Sequence, residues 1–268
     1  MARPIWTGSI SFGLVNVPVK AFSAVRDHDV HFHQVDRKSH QRIRYAKMAG
    51  DSRRQVDNDD IVMSFDLGDG RQVTFDDAEL DAIRPRSTKS IDVTDFVALP
   101  DIDPVYYERT YWLAPDGERA ARPYQLLRAA MERQDRAAIG TVAMRNKQYL
   151  AAIRPLQGVL AMSTMRFADE VVPRDEIEEL PSRRASPAAK ELRMAEQLID
   201  ALATDWKPER YHDTYVEELR ARIEAKAEGA ETDTGEAEPE PSADVVDLTE
   251  ALQRSLEQGR GRKRRRSA

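Results

Sequence analysis

The clearest alternation of apolar and polar positions lies near the start of the chain. Ile10, Phe12 and Leu14 are interleaved with Ser9, Ser11 and Gly13, so one face is apolar and the other small and polar. Past Gly13 the apolar positions change parity, to Val15, Val17 and Val19. A one-residue phase change beside a glycine predicts a single strand over residues 5–21 with a bulge or bend, the device that curves a strand round a barrel. Pro18 has no N–H for a ladder and belongs at an edge or bulge.

Further along, Arg42 and Arg44 alternate with Ile43 and Tyr45, which predicts a strand with two guanidinium groups on one side. Residues 57–81 read as a short helix or turn, then a hairpin around Gly68-Asp69-Gly70, then an acidic helix start at Asp76 to Leu80. Residues 90–97 alternate only partly, Pro100 and Pro104 punctuate the chain, and residues 106–113 are aromatic and strand-like. Pro123 suits the first residue of a helix whose stripe is Tyr124, Leu127, Ala130 and Met131. A meander follows over residues 139–144, 149–153 and 159–165. Strands on both sides of one helix, with no βαβ alternation, predict a mixed α+β and mainly β fold: an antiparallel barrel with added helices.

The pattern changes at Pro181. Ser186 and Pro187 suit an N-cap and first turn, and Leu192, Ala195, Ile199 and Leu202 form an apolar stripe. After Pro208 a second helix carries Tyr211, Tyr215, Leu219 and Ile223 on one face. Residues 228–247 hold eight acids, no Lys or Arg and two prolines, the composition of a disordered, self-repelling linker. Val245, Leu248, Leu252 and Leu256 are spaced for a short helix, and residues 260–266 carry six basic side chains in seven positions. The expected domains are 1–185, 186–227 and 228–268.

Composition sharpens this picture. With 268 residues, 41% hydrophobic, the chain has enough material for one sizeable domain plus appendages. No run approaches a membrane span and Arg3, Pro4 and Trp6 are wrong for a signal peptide, so a cytoplasmic protein is expected. There is no cysteine, which excludes disulfides, thiolate metal sites and a Cys nucleophile. The net charge is −6, but residues 228–268 hold ten acids against seven bases, leaving 34 basic and 37 acidic groups elsewhere. A near-neutral body binds duplex only where its positive charge is gathered on one surface. Residues 36–54 gather it, with seven Lys/Arg against two acids. There Arg42, Arg44, Lys47, Arg53 and Arg54 fit either a DNA contact or a charged edge strand. Arg84, Arg86 and Lys89 form a second, smaller basic loop, and Arg262, Lys263, Arg264, Arg265 and Arg266 a tail able to contact phosphates without sequence preference. Linker and tail are expected to neutralise each other in part, DNA displacing the linker.

No catalytic motif for nucleotide binding, acyl transfer or zinc hydrolysis is present. His31 and His33 share a face of an expected strand with His28 nearby; without a further ligand at characteristic spacing this reads as a polar strand face rather than a metal site. Asp101 and Asp103 read as a turn, and Met131, Met144, Met162 and Met165 as packing. No cofactor is expected.

Seven stretches resemble the bacterial Ku proteins of non-homologous end joining, in one order over roughly the first 228 residues. They are Trp6 to Lys20 (WTGSISFGLVNVPVK), Asp27 to Val35 (DHDVHFHQV), Arg42 to Tyr45 (RIRY), Asp101 to Gly117 (DIDPVYYERTYWLAPDG), Arg145 to Pro155 (RNKQYLAAIRP), Glu191 to Leu202 (ELRMAEQLIDAL) and Pro208 to Tyr215 (PERYHDTY). Many such proteins carry cysteine after the RIRY stretch; here AKMAGDSRRQVD stands instead, so a metal or redox role proposed there is not available. The resemblance implies a homodimer whose Ku-type β-barrels and extended β-arms close a ring around duplex DNA. A ring that caps any broken end touches phosphate and sugar, reads no bases and needs no catalytic residue. The resemblance tips the basic arm toward DNA. It also implies that the helix pair from Ser186 to Lys226 recruits a partner ATP-dependent DNA ligase, the polymerase–ligase fusion ligase D. Tyr211, His212, Asp213 and Tyr215 are candidates for that contact, and the alternative is that Tyr211 and Tyr215 pack on Leu192 and Ile199. The rival readings are an RNA-binding clamp that does not encircle and an enzyme with an unrecognised carboxylate site.

Overall fold

A computed structural model describes residues 2–50, 54–84, 89–145, 147–180 and 188–229. The opening stretch is a hairpin rather than one kinked strand: β1 (Trp6–Phe12) pairs antiparallel with β2 (Val15–Ser23), Phe12 opposite Val15. Gly13 and Leu14 are the two-residue turn. Gly13 has φ 56°, the left-handed region that a tight hairpin turn requires at its first position, and Leu14 points wholly into solvent. The parity change therefore marks a chain reversal, which also keeps Ile10, Val17, Val19 and Ala21 on one buried face. Pro18 pairs with Ser9 but stands one residue before the β2–β8 ladder begins at Val19, where its missing N–H is not needed.

The barrel is closed by seven strands in the order β1-β2-β8-β11-β10-β9-β7. Its other members are β7 (Ser90–Ala98), β8 (Tyr107–Pro115), β9 (Arg136–Met144), β10 (Lys147–Leu156) and β11 (Val159–Met165). Every pairing is antiparallel except β1 with β7, which closes the barrel in parallel over Ser9–Ser11 and Ser90–Asp92. Gly8 makes that approach possible: a Cβ there would stand 2.1 Å from the Lys89 carbonyl, which accepts the Ser9 N–H at 2.9 Å. The expected meander is β9, β10 and β11, with β10 running on to Leu156, so its second turn is only Gln157-Gly158, both at positive φ. Inside lie Ile10, Val19, Ile91, Leu113, Ile153 and Met162, all at most 1% exposed. Met131, Met144 and Met165 are buried beside them, as their spacing predicts.

The helix α2 (Glu118–Gln134) lies against β2, β8, β9 and β10 through Ala120, Tyr124, Leu127 and Met131. It begins five residues before the expected Pro123 start. Gly117, at φ 83°, turns the chain into the helix and Ala120 already belongs to its buried stripe. Pro123 is accommodated inside the second turn, where its ring removes only the bond to the Arg119 carbonyl.

Between β2 and β7 the chain forms β3 (Met48–Ala49) paired with β4 (Arg54–Gln55), the hairpin of β5 (Met63–Asp66) and β6 (Gln72–Phe75), and α1 (Asp77–Ile83). The hairpin turn holds Gly68 and Gly70 at φ 81° and 82°. Asp76 caps α1 with a reciprocal Glu79 contact, 2.8 and 2.9 Å, which fixes the acidic start.

The chain divides into two compact units. Of the described residues, those up to Asp27 and from Phe32 to Glu176 form the first, and His28–His31 with those from Ile177 to Gly229 form the second. In the second, α3 (Ala189–Leu202) carries the expected stripe Leu192, Ala195, Ile199 and Leu202, while α4 (Thr214–Ala227) carries only Tyr215, Leu219 and Ile223 of the other: Tyr211 closes the short turn Pro208–Arg210, because Asp213 caps the helix and starts it later than expected. Leu192, Ile199 and Leu202 of α3 are exposed. The expected cap at Ser186 and Pro187, the acidic linker, the helix over 245–256 and the basic tail lie outside the described residues.

Candidate nucleic-acid interface

The arginines of residues 36–54 are presented on a turn and a short ribbon, not on a long strand. Val35 and Arg42 form one isolated antiparallel bridge, and Ile43 N–H donates to the Gln34 carbonyl at 3.0 Å. Asp36 organises the loop between them. Its carboxylate accepts the Ser39 N–H and hydroxyl, both at 2.7 Å, and the Lys38 N–H at 3.2 Å. These bonds, led by the Ser39 hydroxyl, hold the Asp36 carboxyl below its ordinary value, so the turn that carries Arg37 and Lys38 is set at neutral pH. The strand expected through Ile43 and Tyr45 does not form. Among the described residues no sheet continues beyond Gln34 and Val35 to cover it, and Tyr45 is 83% exposed, its hydroxyl on Gln34.

Lys47 and Arg54 are brought together. Met48 pairs with Gln55 and Ala49 with Arg54, so Lys47 and Arg54 share one face of the β3–β4 ribbon. The Lys47 ammonium is steadied by the Asn58 side chain at 3.0 Å. Arg42 and Arg44 stand exposed on the preceding segment. Arg84 follows α1 and is ion-paired with Asp81, so part of its charge is neutralised locally. Lys89, at φ 50°, belongs to the barrel closure, its carbonyl bonded to β1 and its side chain exposed. Arg53, Arg86, Arg262, Lys263, Arg264, Arg265 and Arg266 lie outside the described residues.

A further cationic group has no local signal in the sequence. Arg26, Arg109 and Arg145 line a cleft of about 370 Å³ with Asp27, Ser23 and Thr110. Arg109 and Arg145 continue into an adjoining cleft of about 270 Å³ with Glu108 and Tyr149. These arginines come from the segment that follows β2, from β8 and from the β9–β10 turn, and only barrel closure assembles them. Grouped guanidinium groups suit phosphate oxygens, which they engage in bidentate fashion.

The polar strand face expected to carry His31 and His33 does not form: residues 28–34 are irregular and Phe32 is exposed, so no neighbouring strand or core holds the segment extended. Among the described residues no group of three or more His, Asp or Glu is arranged to hold a metal ion. Asp103 caps the turn at Pro104–Tyr106 through Val105 N–H at 2.9 Å, as the D-I-D-P reading expects. Among the described residues no helix is long and apolar enough to cross a membrane.

In the second unit the candidates of residues 211–215 separate by role. Tyr211 stacks on Trp206, ring centroids 5.0 Å apart at 26°. Asp213 caps α4 through Val216 N–H at 3.0 Å. His212 lies 3.8 Å from Glu217, an ion pair only when protonated. Tyr215 is 70% exposed beside a hollow of about 210 Å³ shared with Leu219 and Arg222. The packing of Tyr211 and Tyr215 onto Leu192 and Ile199 is not seen, all four being exposed.

The first unit is thus a closed seven-stranded β-barrel with one helix across it and a cation-bearing excursion between β2 and β7. The Ku70/Ku80 beta-barrel domain matches residues 11–194. Non-homologous end joining protein Ku 1 of Saccharopolyspora erythraea is 44% identical over 260 residues, 97% of this chain and 80% of the relative. The Ku of Anaeromyxobacter sp. (strain K) is 40% identical over 98% of this chain and 88% of its own length, and that of Mycobacterium tuberculosis 39% over 95% and 94%. The chain belongs to the Ku family.

Proposed function

We propose that the protein binds the ends of double-stranded DNA as a homodimeric ring, without sequence preference and without catalysis, in repair by non-homologous end joining. One observation carries the reading. Of the described residues between Phe32 and Arg84, none is buried, although they include Phe32, Tyr45, Met63, Phe65 and Ile83, each more than half exposed. A single chain gains little by folding such a segment, and exposed apolar surface on this scale marks an interface. A second copy covers the apolar side, and the cations on the same segment face DNA.

In this reading Arg42, Arg44, Lys47, Arg53 and Arg54 contact phosphates, with Arg84, Arg86 and Lys89 in support and the tail Arg262 to Arg266 adding salt-sensitive affinity. The Arg26, Arg109 and Arg145 cleft is added to that surface. The stacked Trp206–Tyr211 pair and exposed Tyr215 form the docking surface for an ATP-dependent DNA ligase, ligase D, which the protein recruits and stimulates. The protein works in the cytoplasm, at the nucleoid. The domains are 1–185 for ring and barrel, 186–227 for docking and 228–268 for linker and tail.

The test compares linear and covalently closed duplex of one sequence, with the mass of the free protein measured in solution. A ring is expected to load on linear duplex only and to have the mass of two chains. Equal binding to closed circles supports a clamp that does not encircle, and a monomer in solution removes the ring.

A further inference from the structure

The two arginine clefts of the barrel are parts of one hollow. Arg109, Tyr111 and Arg145 line both the cleft of about 370 Å³ and the cleft of about 270 Å³. The larger part alone falls within the range of small-ligand sites, about 300–1,000 Å³. Tyr111, 9% exposed, is the buried portion of the shared wall. Every lining residue belongs to the first unit.

The charges of the hollow are unmet. Arg26, Arg109 and Arg145 stand against two acids, Asp27 in the larger part and Glu108 in the smaller. Lys147 adds a fourth cation beside the smaller part, its ammonium 5.3 Å from the centre of the Tyr149 ring. Among the described residues none of the three arginines is ion-paired, whereas Arg71, Arg84 and Arg128 of the same unit are paired with Asp69, Asp81 and Glu132. The backbone fixes where two of them start. Arg109 is paired in register with Thr164, and its N–H donates to the Thr164 hydroxyl at 3.2 Å. Arg145 opens the turn between Met144 and Lys147 at φ 51°, the left-handed region that suits Gly and Asn and strains a long side chain. Arginine at that position costs the fold stability, the mark of a residue placed for binding rather than for packing.

We infer that this hollow seats the phosphomonoester at the terminus of a DNA strand, a role that rests on the end binding proposed above. A phosphate inside a strand is a diester with one negative charge. It is tethered on both sides, so it runs along the convex backbone and stays outside a hollow. A terminal monoester is tethered on one side only and can enter. Near neutral pH it carries close to two charges and offers three strong acceptor oxygens. Guanidinium groups arriving from three separate segments suit oxygens that point in three directions. Topology lets a ring select ends; the hollow adds the chemistry that tells a phosphoryl end from a hydroxyl end.

The full-length protein is titrated with one short duplex, closed by a hairpin on one side and blunt on the other. The blunt end carries a 5′-phosphate, a 3′-phosphate or hydroxyls only. One phosphoryl end is expected to bind about tenfold tighter than the hydroxyl end. Arg109→Gln with Arg145→Gln is expected to erase that preference, whereas Arg42→Gln with Arg44→Gln lowers affinity for all three ends by one factor and keeps it. Arg145→Asn is expected to raise the melting temperature, because Asn suits positive φ, while weakening the preference. Equal affinity for all three ends, or a preference that survives Arg109→Gln with Arg145→Gln, overturns the inference; if closed circles are still excluded, end binding itself stands. Thymidine 5′-monophosphate binding as tightly as the phosphoryl duplex would make the hollow a free-nucleotide site and overturns the terminal assignment. Closed circles bound as well as linear duplex would be the separate failure of the end-binding reading, and would take this role with it.

Discussion

The Tyr124 hydroxyl accepts the Leu160 N–H at 2.8 Å while donating to the Leu113 carbonyl at 2.6 Å. One side chain of α2 thus bonds to facing strands β8 and β11, whose residues Leu113 and Leu160 are themselves paired. All three residues are at most 2% exposed, so neither backbone group has water as a substitute partner. Tyr124→Phe removes both bonds and leaves a buried N–H unmet, and is expected to lower stability by about 1–3 kcal/mol. The measurement is urea unfolding, with an unchanged m-value showing that only stability moved.

The same tyrosine gives the barrel a pH dependence. Burial raises the Tyr124 hydroxyl above its ordinary value of 10.0, with the Leu160 N–H and Arg128 opposing. Below that ordinary value the group is neutral in both folded and unfolded chains and contributes no slope. Above it the unfolded chain loses its proton first, so stability falls as pH rises further. Unfolding midpoints measured from pH 9 upward should drop more steeply for the natural protein than for Tyr124→Phe. Parallel curves would assign the alkaline loss to other groups.

Closure of the barrel rests on Gly8. A methyl group there meets the Lys89 carbonyl at 2.1 Å and the Trp6 ring at 2.4 Å, and the carbonyl is backbone that cannot swing aside. Gly8→Ala is expected to cost about 1–3 kcal/mol, because β1 must move off β7 at the one parallel seam. Amide exchange at Ser9, whose N–H donates to Lys89, reads the opening directly. Protection equal to that of the natural chain would mean the seam tolerates the methyl group.

The barrel residues also mark how far the sequence could be read. The strands β8 to β11 and the stripe Tyr124, Leu127 and Met131 were legible because their period is local and their side chains are buried. A parity change at Gly13 suits a bulge and a reversal equally; the fully exposed Leu14 in the turn made the run look continuous. Pro123 pointed to a helix start because proline usually stands there, yet the preceding turn was set by Gly117 and the burial of Ala120. Residues 42–45 kept their alternation without gaining a cover, so their pattern overstated a strand, whereas the hairpin of β5 and β6 formed where its glycine turn predicted it. The basic residues of 36–54 were visible as a run, but Arg26, Arg109 and Arg145 are distant in sequence and meet only once the barrel closes.

The two cationic groups make separable predictions. Arg42→Glu with Arg44→Glu, and independently Arg109→Glu with Arg145→Glu, are expected to weaken binding of linear duplex. Every arginine–phosphate pairing removed should lower the salt slope by about one. All four side chains are exposed, so melting temperature should hardly change. A salt titration that leaves affinity and slope unaltered takes that pair out of the interface.

Ligase docking is testable without truncation. Tyr211→Ala and Tyr215→Ala alter exposed rings, 63% and 70% accessible, and should shift stability by less than about 0.5 kcal/mol. Tyr211→Ala also unstacks Trp206, which moves the indole fluorescence and so reports that the ring pair has come apart. End binding is expected to stay unchanged while stimulation of ligase D falls. Full stimulation by the double variant would leave the helix pair without this role.

The acidic residues before the tail give the last prediction. If linker and tail neutralise each other in part, the charge of Glu231, Asp233, Glu236, Glu238 and Glu240 competes with phosphate for the six basic groups of residues 260–266. Replacing the five by Gln or Asn keeps the length of the linker. Binding to linear duplex should then tighten at about 0.01 M salt, where charges act over about 30 Å, and the gain should vanish near 0.15 M, where screening shortens that range to about 8 Å. A variant that binds equally well at low salt would show that linker and tail do not neutralise each other, and that the tail meets DNA already unopposed.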